Sequence, residues 1–516
     1  MQPGYTIRIH ISSNTPSRLW MIHGSSLLRS CSIICRRLPH YPQAPGSLVF
    51  RKGLLQYKGR TREARHMKIA VAGAGVVGLA SAAGFAELGH TAICVDIDKE
   101  KIASLQRGVV PYYEPGLQEL TLRNMAAGRM RFGTGIHEIP ADTEVVIMAV
   151  GTPSDPDGDL SLTAFWAAAD ELADWIEKCA CPAVVVAVKS TVPVGTADSL
   201  EEKLRMRLPP SESGRVDTAS VPEFMREGSA VKDFFEPARL IIGSASAQTA
   251  ERLTSLHAGL PGRVIFTDRR SAELSKLAAN AFLAVKISFS NEVAVLCEQI
   301  GADYNDVAGV LGSDPRIGPH FLGAGLGFGG SCLPKDTRAL VRFAERSGAP
   351  QTLVEAAIHV NRQRTERIAH KLEEALDNPG ASTIALLGLA FKAGTDDMRE
   401  APSVRLMEEL MRRFPGMELR AYDPASTEAA RGIVPGQVRI CRSAEEALRG
   451  ADGAILVTEW PEFGKIRAID FRNWMKRPII WDGRNLLDAD ELNAHGVRCI
   501  GTGRPILRRI AFDENS

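Results

Sequence analysis

Lys68-Ile-Ala-Val-Ala-Gly73-Ala-Gly75-Val-Val-Gly78 is the stretch that decides the fold of this 516-residue chain. The apolar run Ile69 to Ala72 predicts a buried strand, and a GxGxxG pattern follows it at once. A helical pattern then covers Leu79 to Leu88, and a second apolar run, Thr91 to Val95, leads to Asp96. This is the strand–turn–helix–strand unit of a dinucleotide-binding fold.

Each glycine of this turn has its own predicted task. Gly73 allows the tight turn, Gly75 lets a pyrophosphate approach the backbone, and Gly78 lets the helix pack closely on the strand. The helix N-terminus then faces the phosphates with its positive end. Asp96 lies 18 residues after Gly78, where a carboxylate binds both ribose hydroxyls. Since a carboxylate there disfavours a 2′-phosphate, the sequence predicts NAD rather than NADP.

A second informative stretch places one cysteine in a glycine-rich loop, Gly327-Phe-Gly-Gly-Ser-Cys332-Leu-Pro-Lys335-Asp336. The thiolate is the reactive form of cysteine, and nearby positive charge such as that of Lys335 favours it. The alternative is a buried structural cysteine beside a turn. An upstream redox-cofactor motif favours a catalytic cysteine.

Length and composition limit the classes of protein. At 516 residues, with 45% apolar content, the chain is expected to form two or three domains. It has no uninterrupted apolar segment of the roughly 18 residues that a membrane span requires, so no membrane partner is expected. The nine cysteines show no paired spacing, which predicts neither a metal site nor disulfides and favours a reducing, cytoplasmic setting.

Residues 1–66 differ from the rest in charge. They hold 11 of the 62 basic residues and one acidic residue, Glu63, so the remainder carries 51 basic and 60 acidic residues. An acidic folded part gives no reason to expect nucleic-acid binding. The segment resembles a mitochondrial transit peptide, or equally sequence translated from a start codon placed upstream of Met67, which the lack of a clean amphipathic helix favours. Residues 1–66 are therefore predicted to be disordered.

The rest of the chain divides by its hydrophobic pattern. Strands alternate with helices over residues 67–266, which predicts a parallel sheet covered on both faces. Residues 267–378 read as a helical middle domain, because Asp268 to Ile300 lacks Gly and Pro and would form one helix about 50 Å long. A second doubly wound domain without GxGxxG is predicted over residues 379–503, followed by a tail, 504–516. The fold class is thus α/β, with two Rossmann-like domains joined by a long central helix.

Longer motifs follow one another in order from Met67 to about Asn485. They are Tyr113-Glu-Pro-Gly-Leu117, Val150-Gly-Thr-Pro153, Lys189-Ser-Thr-Val-Pro-Val-Gly195, Pro222-Glu-Phe-Met-Arg-Glu-Gly228, Lys276-Leu-Ala-Ala-Asn280, Phe391-Lys-Ala-Gly-Thr-Asp-Asp-Met-Arg399 and Asp482-Gly-Arg-Asn485. Together with the glycine turn and the cysteine loop, they resemble the nucleotide-sugar 6-dehydrogenases of the UDP-glucose/GDP-mannose dehydrogenase family. Two departures, Val76 in the glycine turn and Ser220-Val221 before Pro222, remove no reactive group.

The resemblance implies two NAD-dependent oxidations at carbon 6 of a nucleotide sugar, from alcohol to carboxylate. Cys332 would attack the intermediate aldehyde to give a thiohemiacetal, then a thioester that water hydrolyses, so that one hard oxidation is divided into easier steps. By the same resemblance Lys276 and Asn280, presented by one helix face at i and i+4, stabilise the oxygen of these intermediates. Asp336, Glu223 and Thr191 would position water and move protons.

The resemblance also implies which residues bind the two ligands. The cofactor residues would be Gly73, Gly75, Val77, Gly78, Asp96, Lys101, Thr152, Thr191, Glu227, Lys335 and Arg399. The nucleotide-sugar residues would be Glu223, Phe224, Met225, Arg226, Glu227, Lys276, Asn280, Arg316, Phe321, Leu322, Gly323, Ala324, Gly325, Gly329 and Lys392, with Arg316 reaching the substrate of a neighbouring subunit. Lys392 and the glycine loop would supply cations and donors for the diphosphate.

Read from the residues alone, several of these positions have ordinary alternatives. Lys276 could be a solvated lysine on a surface helix, although its apolar neighbours argue against that. Asp336 could cap the helix that follows it, and Arg316 could form a surface salt bridge.

Alternatives also remain for the activity itself. The motifs favour UDP-glucose over GDP-mannose or a UDP-N-acetylhexosamine as the substrate of the same chemistry. A non-catalytic nucleotide-sugar-binding protein would have lost Cys332, Lys276 or Asp336, and all three are present. The long helix and the resemblance together predict at least a homodimer.

Overall fold

In the computed structural model, residues 47–51, 54–58, 65–178, 183–426 and 430–505 are described. Two sheets organise them, with helices on both faces of each. The strands are β1 (Ser47–Arg51), β2 (Leu54–Lys58), β3 (Lys68–Ala72), β4 (Thr91–Val95), β5 (Met130–Gly133), β6 (Val145–Met148), β7 (Val184–Val188), β8 (Val216–Ser220), β9 (Arg239–Gly243), β10 (Arg263–Thr267), β11 (Thr383–Leu387), β12 (Glu418–Tyr422), β13 (Arg439–Ile440), β14 (Gly453–Leu456), β15 (Ile479–Asp482) and β16 (Arg498–Gly501). The helices are α1 (Val76–Glu87), α2 (Lys99–Gln106), α3 (Leu117–Ala126), α4 (Thr163–Lys178), α5 (Thr196–Met206), α6 (Ala230–Phe235), α7 (Ala247–Leu256), α8 (Arg269–Ile300), α9 (Tyr304–Ser313), α10 (Leu333–Arg346), α11 (Thr352–Ala375), α12 (Pro402–Arg413), α13 (Ala444–Leu448), α14 (Ala468–Trp474) and α15 (Ala489–Ala494).

The first sheet has the order β1-β2-β10-β9-β8-β7-β6-β3-β4-β5. Its central strands are apolar on both faces, as in Val184-Val-Val-Ala-Val188, where all five residues are buried. Two hydrophobic cores result, one on each side of the sheet. Fully buried strands of this kind are stable only when helices cover both faces, and the doubly wound arrangement predicted from the sequence is confirmed.

The hydrophobic pattern predicts a parallel sheet, but this sheet is not parallel throughout. β9 runs antiparallel to β8, and the two pair only at their last residues, Ser220 and Gly243. β9 therefore extends beyond the end of β8, alongside the segment that follows Ser220. There the Arg239 guanidinium lies 4.0 Å from the centre of the Phe224 ring. β9 is antiparallel to β8 because the chain after β8 stays at the carboxyl edge of the sheet and enters β9 from that edge.

The prediction that residues 1–66 are disordered is wrong for two five-residue segments. β1 and β2 pair antiparallel over their whole lengths, and β2 pairs with the edge strand β10. The sequences Ser-Leu-Val-Phe-Arg and Leu-Leu-Gln-Tyr-Lys suit strands, and the edge of β10 offers unpaired backbone groups. The rest of the predicted extension, residues 1–46, 52–53 and 59–64, and the tail from 506 onward lie outside the described residues.

α8 is the predicted long helix, and it begins after an Asp268 cap that accepts a hydrogen bond from the Ser271 N–H. It packs against α10 and α11, with a small apolar core between them. By length and hydropathy alone α8 could cross a membrane. Its buried face, however, carries Glu273, Lys276, Asn280 and Asn291, each bound to another part of the protein. It serves as the core helix of the middle domain.

The second sheet is parallel throughout, with the order β13-β12-β11-β14-β15-β16. Hydrophobic cores lie on both of its faces. This is the second Rossmann-like unit that the sequence predicted. It has no glycine-rich helix start after β11, because α12 begins only at Pro402.

Candidate active site

Cys332 occupies the N-cap position of α10, at the end of the glycine-rich loop. Its sulfur lies 3.4 Å from the Ser331 hydroxyl. The loop is held from outside by the C-terminal unit, since the Gly330 N–H donates to the Arg399 carbonyl at 2.9 Å. A Cβ on Gly329 would lie 2.4 Å from the Glu400 carbonyl, so this approach needs a glycine. The cysteine loop thus lies where the middle domain meets the C-terminal unit.

Lys276 and Asn280 come from one face of α8, as their spacing predicted, and both are buried. The Lys276 ammonium donates to Glu223 Oε1 at 2.9 Å. The Asn280 amide donates to Asp336 Oδ2 at 2.6 Å. The alternative of a solvated Lys276 is therefore wrong, because the side chain is surrounded by protein.

The two candidate carboxylates each have their own partners. Glu223 Oε2 accepts the Met225 N–H at 2.6 Å, while its other oxygen binds Lys276. Asp336 is fully buried, and its Oδ1 accepts from the Lys335 ammonium at 2.7 Å. The alternative that Asp336 caps α10 is wrong, because both of its oxygens bind side chains.

Burial dominates the electrostatics at the thiol. It raises the pKa of Cys332, as do Glu223 and Asp336, and Lys276 opposes this only in part. Burial lowers the pKa of Lys276, but the negative groups around it raise that pKa overall. The expectation that Lys335 favours the thiolate is not met, because its ammonium pairs with Asp336. Lys276 is the cation that lowers the pKa of the thiol most, and Arg399 also interacts with the Cys332 charge.

Thr191, the sixth candidate catalytic residue, follows β7 in the first unit. Its carbonyl accepts the Thr152 hydroxyl at 2.7 Å, which joins two loops at the carboxyl edge of the sheet. Among the described residues, no hydrogen bond links its side chain to Glu223 or Cys332. Its role in catalysis stays a prediction.

The glycine turn leaves room for a dinucleotide. Gly75 caps α1 without any side-chain hydrogen bond, and a Cβ added there would meet no atom within 4 Å. A Cβ on Gly78 would lie 1.8 Å from the Gly73 carbonyl, so the close helix–strand packing depends on glycine. The first N–H groups of α1, including that of Val77, are thus free to meet a phosphate. These features fit NAD.

Asp96 stands at the end of β4, beside this turn. Its carboxylate accepts the Ala74 N–H at 2.8 Å and the Lys101 ammonium at 3.0 Å. Burial acts to raise the pKa of Asp96, but hydrogen bonds from the Asp98 and Ala74 amides and from Lys101 lower it overall. A carboxylate that stays ionised at the turn is what recognition of ribose hydroxyls requires.

Two of the other predicted cofactor residues, Glu227 and Arg399, lie near Cys332. Glu227 accepts from the Ser331 hydroxyl at 2.7 Å and from the Arg399 guanidinium at 3.0 Å. Burial, together with the neighbouring Asp397 carboxylate, raises the pKa of Glu227 to about 7. Three parts of the chain, after β8, before α10 and before α12, therefore meet at one carboxylate.

Outside α8, the predicted nucleotide-sugar residues lie on three loops, which follow β8, α9 and β11. Phe321 is partly exposed with a φ of 64°, whereas Leu322 and Ala324 are buried. Lys392 follows the turn after β11, and burial lowers its pKa. Arg316 is an exception, because it is 88% exposed and pairs with Asp314 at the surface. In this chain alone Arg316 forms the surface salt bridge that was its alternative.

Several supporting residues were missed by sequence reasoning. Asn361 binds both the N–H and the carbonyl of Phe328, and Asn291 and Arg364 bind the N–H and carbonyl of Gly325. These are buried polar side chains on α8 and α11, and polar residues at the apolar positions of a helical pattern could have revealed them.

Glu114 was also missed as a supporting residue, although its motif was noted. Its carboxylate accepts the Gly228 and Ala230 amides at 2.7 Å each, which fixes the loop that carries Glu223 and Glu227. Among the described residues, no group of three or more His, Cys, Asp or Glu side chains could hold a metal ion.

The sequence matches three models of the UDP-glucose/GDP-mannose dehydrogenase family: the NAD binding domain over residues 67–260, the central domain over 270–363 and the UDP binding domain over 385–489. The chain is 44% identical to UDP-glucose 6-dehydrogenase of Pseudomonas aeruginosa, over 85% of this chain and 98% of that protein. It is 42% identical to that of Rhizobium meliloti, over 85% of this chain and 100% of that one. A solved UDP-glucose dehydrogenase from Pyrobaculum islandicum superposes with a TM-score of 0.78 at 35% identity, covering 86% of this chain and 99% of that one.

Proposed function

Because this chain belongs to the UDP-glucose/GDP-mannose dehydrogenase family, we propose that it oxidises UDP-glucose at carbon 6 to UDP-glucuronate. It is an NAD-dependent oxidoreductase, and residues 67–260 form the NAD-binding domain of the family. The relatives that support UDP-glucose as the substrate are aligned over nearly their whole lengths. We keep the division into domains at 67–266, 267–378 and 379–503 as part of this proposal.

One observation carries the proposal: a single cysteine faces a buried cluster of a cation, an amide and two carboxylates. The charges of Lys276, Glu223 and Asp336 each shift the pKa of the Cys332 thiol. A one-step alcohol dehydrogenase has no use for a nucleophile at this place. A site that must carry an aldehyde on to an acid needs one, because covalent capture retains the aldehyde.

NAD, when bound, accepts the hydride in each of the two oxidations. The protein's residues do the rest. Cys332 attacks the aldehyde carbon to form a thiohemiacetal, and Lys276 and Asn280 donate to the oxygen, which becomes negative during the attack. Both donors are buried and already fixed by Glu223 and Asp336, so little reorganisation is needed.

Water must finally hydrolyse the thioester formed on Cys332. Asp336 is placed to position that water, because it lies one helical turn after the cysteine in α10 and binds Asn280. Glu223 and Thr191 belong to the first unit. We assign Glu223 to proton transfer through Lys276, and Thr191 to ordering the loop beside Thr152.

The nucleotide sugar is held by the segment Glu223, Phe224, Met225, Arg226 and Glu227, by the loop Phe321, Leu322, Gly323, Ala324 and Gly325, and by Gly329 and Lys392. The C-terminal unit corresponds to the UDP binding domain of the family. Lys392 supplies the positive charge for the diphosphate. In the proposed dimer Arg316 would leave Asp314 and reach the partner's substrate.

The dimer is proposed to form along α8 with a second copy of this chain. Phe282, Phe289 and Leu296 lie at seven-residue intervals and are 65%, 52% and 55% exposed. Such a continuous apolar stripe on a long helix favours a helix–helix contact. Phe282→Glu combined with Phe289→Glu should give monomers in sedimentation velocity. Met206→Glu, at an equally exposed apolar side chain on α5, should leave the dimer intact.

The first experiment is a stoichiometry measured at limiting nucleotide sugar. We expect about two NADH per UDP-glucose consumed, as one site running both oxidations requires. Turnover of GDP-mannose instead would keep the chemistry and discard the substrate. Cys332→Ser should stall before the acid is released, and mass spectrometry should detect either an adduct on the introduced serine or free aldehyde. Steady formation of two NADH by that variant would exclude the covalent mechanism.

A further inference from the structure

A short chain of hydrogen bonds runs from the Cys332 thiol to Glu227, a carboxylate to which the mechanism above gives no part in proton transfer. The Cys332 sulfur lies 3.4 Å from Ser331 Oγ, and that hydroxyl donates to Glu227 Oε1 at 2.7 Å. With the hydroxyl proton directed at Glu227, the Ser331 lone pairs are left to accept from the thiol. The direction of donation is therefore S–H to Oγ, and O–H to carboxylate.

The surroundings of Glu227 suit it to hold a proton at neutral pH. Burial and the neighbouring Asp397 carboxylate raise its pKa to about 7, while Ser331 and Arg399 act in the opposite direction. Lys392 is a further charged neighbour. Asp397 itself is fixed by Arg399, which binds both of its oxygens. A base with a pKa near the working pH transfers protons most effectively.

The other charged groups near the thiol are already engaged. Glu223 binds Lys276 and the Met225 N–H, and Asp336 binds Asn280 and Lys335. Among the described residues, Ser331 makes the side-chain hydrogen bond to the Cys332 sulfur, and neither carboxylate does. Lys276 lowers the pKa of the thiol but, as an ammonium, cannot accept its proton.

We infer that Ser331 and Glu227 form a relay that removes the thiol proton of Cys332 as the sulfur attacks the aldehyde. As the S–C bond forms and the S–H bond breaks, the thiol proton passes to Ser331 Oγ. The Ser331 hydroxyl proton passes to Glu227 Oε1, and the negative charge moves to the aldehyde oxygen beside Lys276 and Asn280. Asp397 is a positioning residue that holds Glu227 and Arg399 in place. This inference rests on the proposed covalent function.

The relay is tested first on the second oxidation alone, with the nucleotide-sugar 6-aldehyde as substrate at saturating NAD. Ser331→Ala should slow this half-reaction by about 100-fold, the lower end of general-base contributions. Ser331→Thr retains the hydroxyl and should recover most of the rate. Equal rates for the Ala and Thr variants would overturn the relay.

Alkylation of Cys332 by iodoacetamide, in protein without cofactor, separates a base from a merely structural group. Glu227→Gln removes a negative charge near the sulfur, so alkylation followed on the Cys332 peptide should be no slower than in the wild type. The aldehyde half-reaction of the same variant should fall at least about tenfold. A fall in both rates, or in neither, would exclude Glu227 as the proton acceptor.

Failure of the relay and failure of the proposed function give different results. If Cys332→Ser oxidises the aldehyde like the wild type, the covalent function fails and the relay with it. If Cys332→Ser is inactive on the aldehyde while Ser331→Ala is not impaired, the function stands and the relay is wrong.

Discussion

The two Rossmann-like units leave their first strands through the same turn. Gly73 after β3 and Gly388 after β11 have φ angles of 104° and 98°. Each donates its N–H to the last residue of the neighbouring strand, Val95 or Tyr422, at 2.8 Å. A Cβ on either would lie within 2.5 Å of a residue just past the end of the adjacent strand, Ala149 after β6 or Thr458 after β14. The geometry of the turn is thus common to both units.

What surrounds the turn is different. In the first unit α1 begins directly after Gly75, so free N–H groups point out of the turn. In the second unit the chain continues as a loop, and α12 begins only at Pro402. That loop carries Lys392 and Arg399 toward the first unit, where Arg399 binds Glu227. The second unit therefore supplies cations to a shared site instead of a helix N-terminus.

The acidic residue at the end of the second strand shows the same contrast. Asp96 accepts one N–H of the turn and the Lys101 ammonium, and its side chain is 12% exposed. Asp423 is fully buried and accepts from the Leu389 and Ala390 amides and from the Trp460 indole. We propose that this position serves ligand recognition in the first unit, whereas it serves internal support in the second. Two units of the same fold in one chain therefore need not bind the same ligand.

The largest expected effect comes from removing Asp423. Asp423→Ala would leave the Leu389, Ala390 and Trp460 donors buried without an acceptor, and each costs about 1–3 kcal/mol. We expect the second unit to lose about 3 kcal/mol or more, seen as an earlier urea transition of tryptophan fluorescence. The matched variant Asp96→Ala should shift that transition little and weaken NAD binding in calorimetry at least about tenfold. Reversed phenotypes would refute the contrast between the two carboxylates.

A smaller effect is expected at the open part of the first turn. Gly75 has a φ of −72°, which any residue adopts, and a Cβ there meets no protein atom. Gly75→Ala should therefore leave the melting temperature unchanged or raise it slightly. The corresponding gain in the free energy of unfolding is at most about 1 kcal/mol. It should weaken NAD binding about tenfold or more, because the methyl group fills the space of the pyrophosphate.

Gly214→Ala is the control for that variant. Gly214 also has open space around its Cα and lies in a short 3-10 helix away from the turn. It should change neither stability nor NAD affinity by a measurable amount. Tight NAD binding by Gly75→Ala would mean that the pyrophosphate does not approach this glycine.

Local pattern predicted the repeated parts of the molecule well. The apolar strands, the glycine turn and the uninterrupted helix α8 are encoded in adjacent residues, so period and punctuation suffice. The pairing of Lys276 with Glu223, which lie 53 positions apart, is set by how β8 and α8 meet. That Lys276 and Glu223 share one site was predicted from the family resemblance, because their spacing in the sequence does not indicate a contact.

Two features could not be read from local pattern for physical reasons. The antiparallel pairing of β9 depends on a single contact between Ser220 and Gly243 and on the course of the intervening loop. The burial of the Cys332 thiol depends on how closely the C-terminal unit covers the loop. The neighbouring lysine in the sequence suggested a lowered pKa, whereas burial raises the pKa of this thiol.

The ends of α8 extend the comparison to how each unit is attached. Near its start Glu273 accepts the Gly195 and Ala197 amides of the first unit, at 2.6 and 2.8 Å. Near its end Glu298 accepts the Gly503 amide of the second unit and also binds the Lys371 ammonium at 2.7 Å. Both units are thus held by a buried carboxylate, but within the described part of the chain a lysine binds the second carboxylate and none binds the first.

The smallest expected effect is a pH dependence at the first attachment. Burial raises the pKa of Glu273 to about 7, well above its ordinary value, so the folded state binds the proton more tightly than the unfolded state. The stability that this provides is present in full below about pH 4.5 and is lost as the pH rises through 7. The side chain introduced by Glu273→Gln cannot titrate. Between about pH 5 and pH 7.5 the melting temperature of this variant should therefore fall less than that of the wild type. The corresponding difference in the free energy of unfolding is about 1–3 kcal/mol. The hydrogen bonds lost in the variant lower its stability equally at every pH, so the quantity to compare is the slope of melting temperature against pH. Identical slopes for the variant and the wild type would show that Glu273 stays ionised in the folded protein.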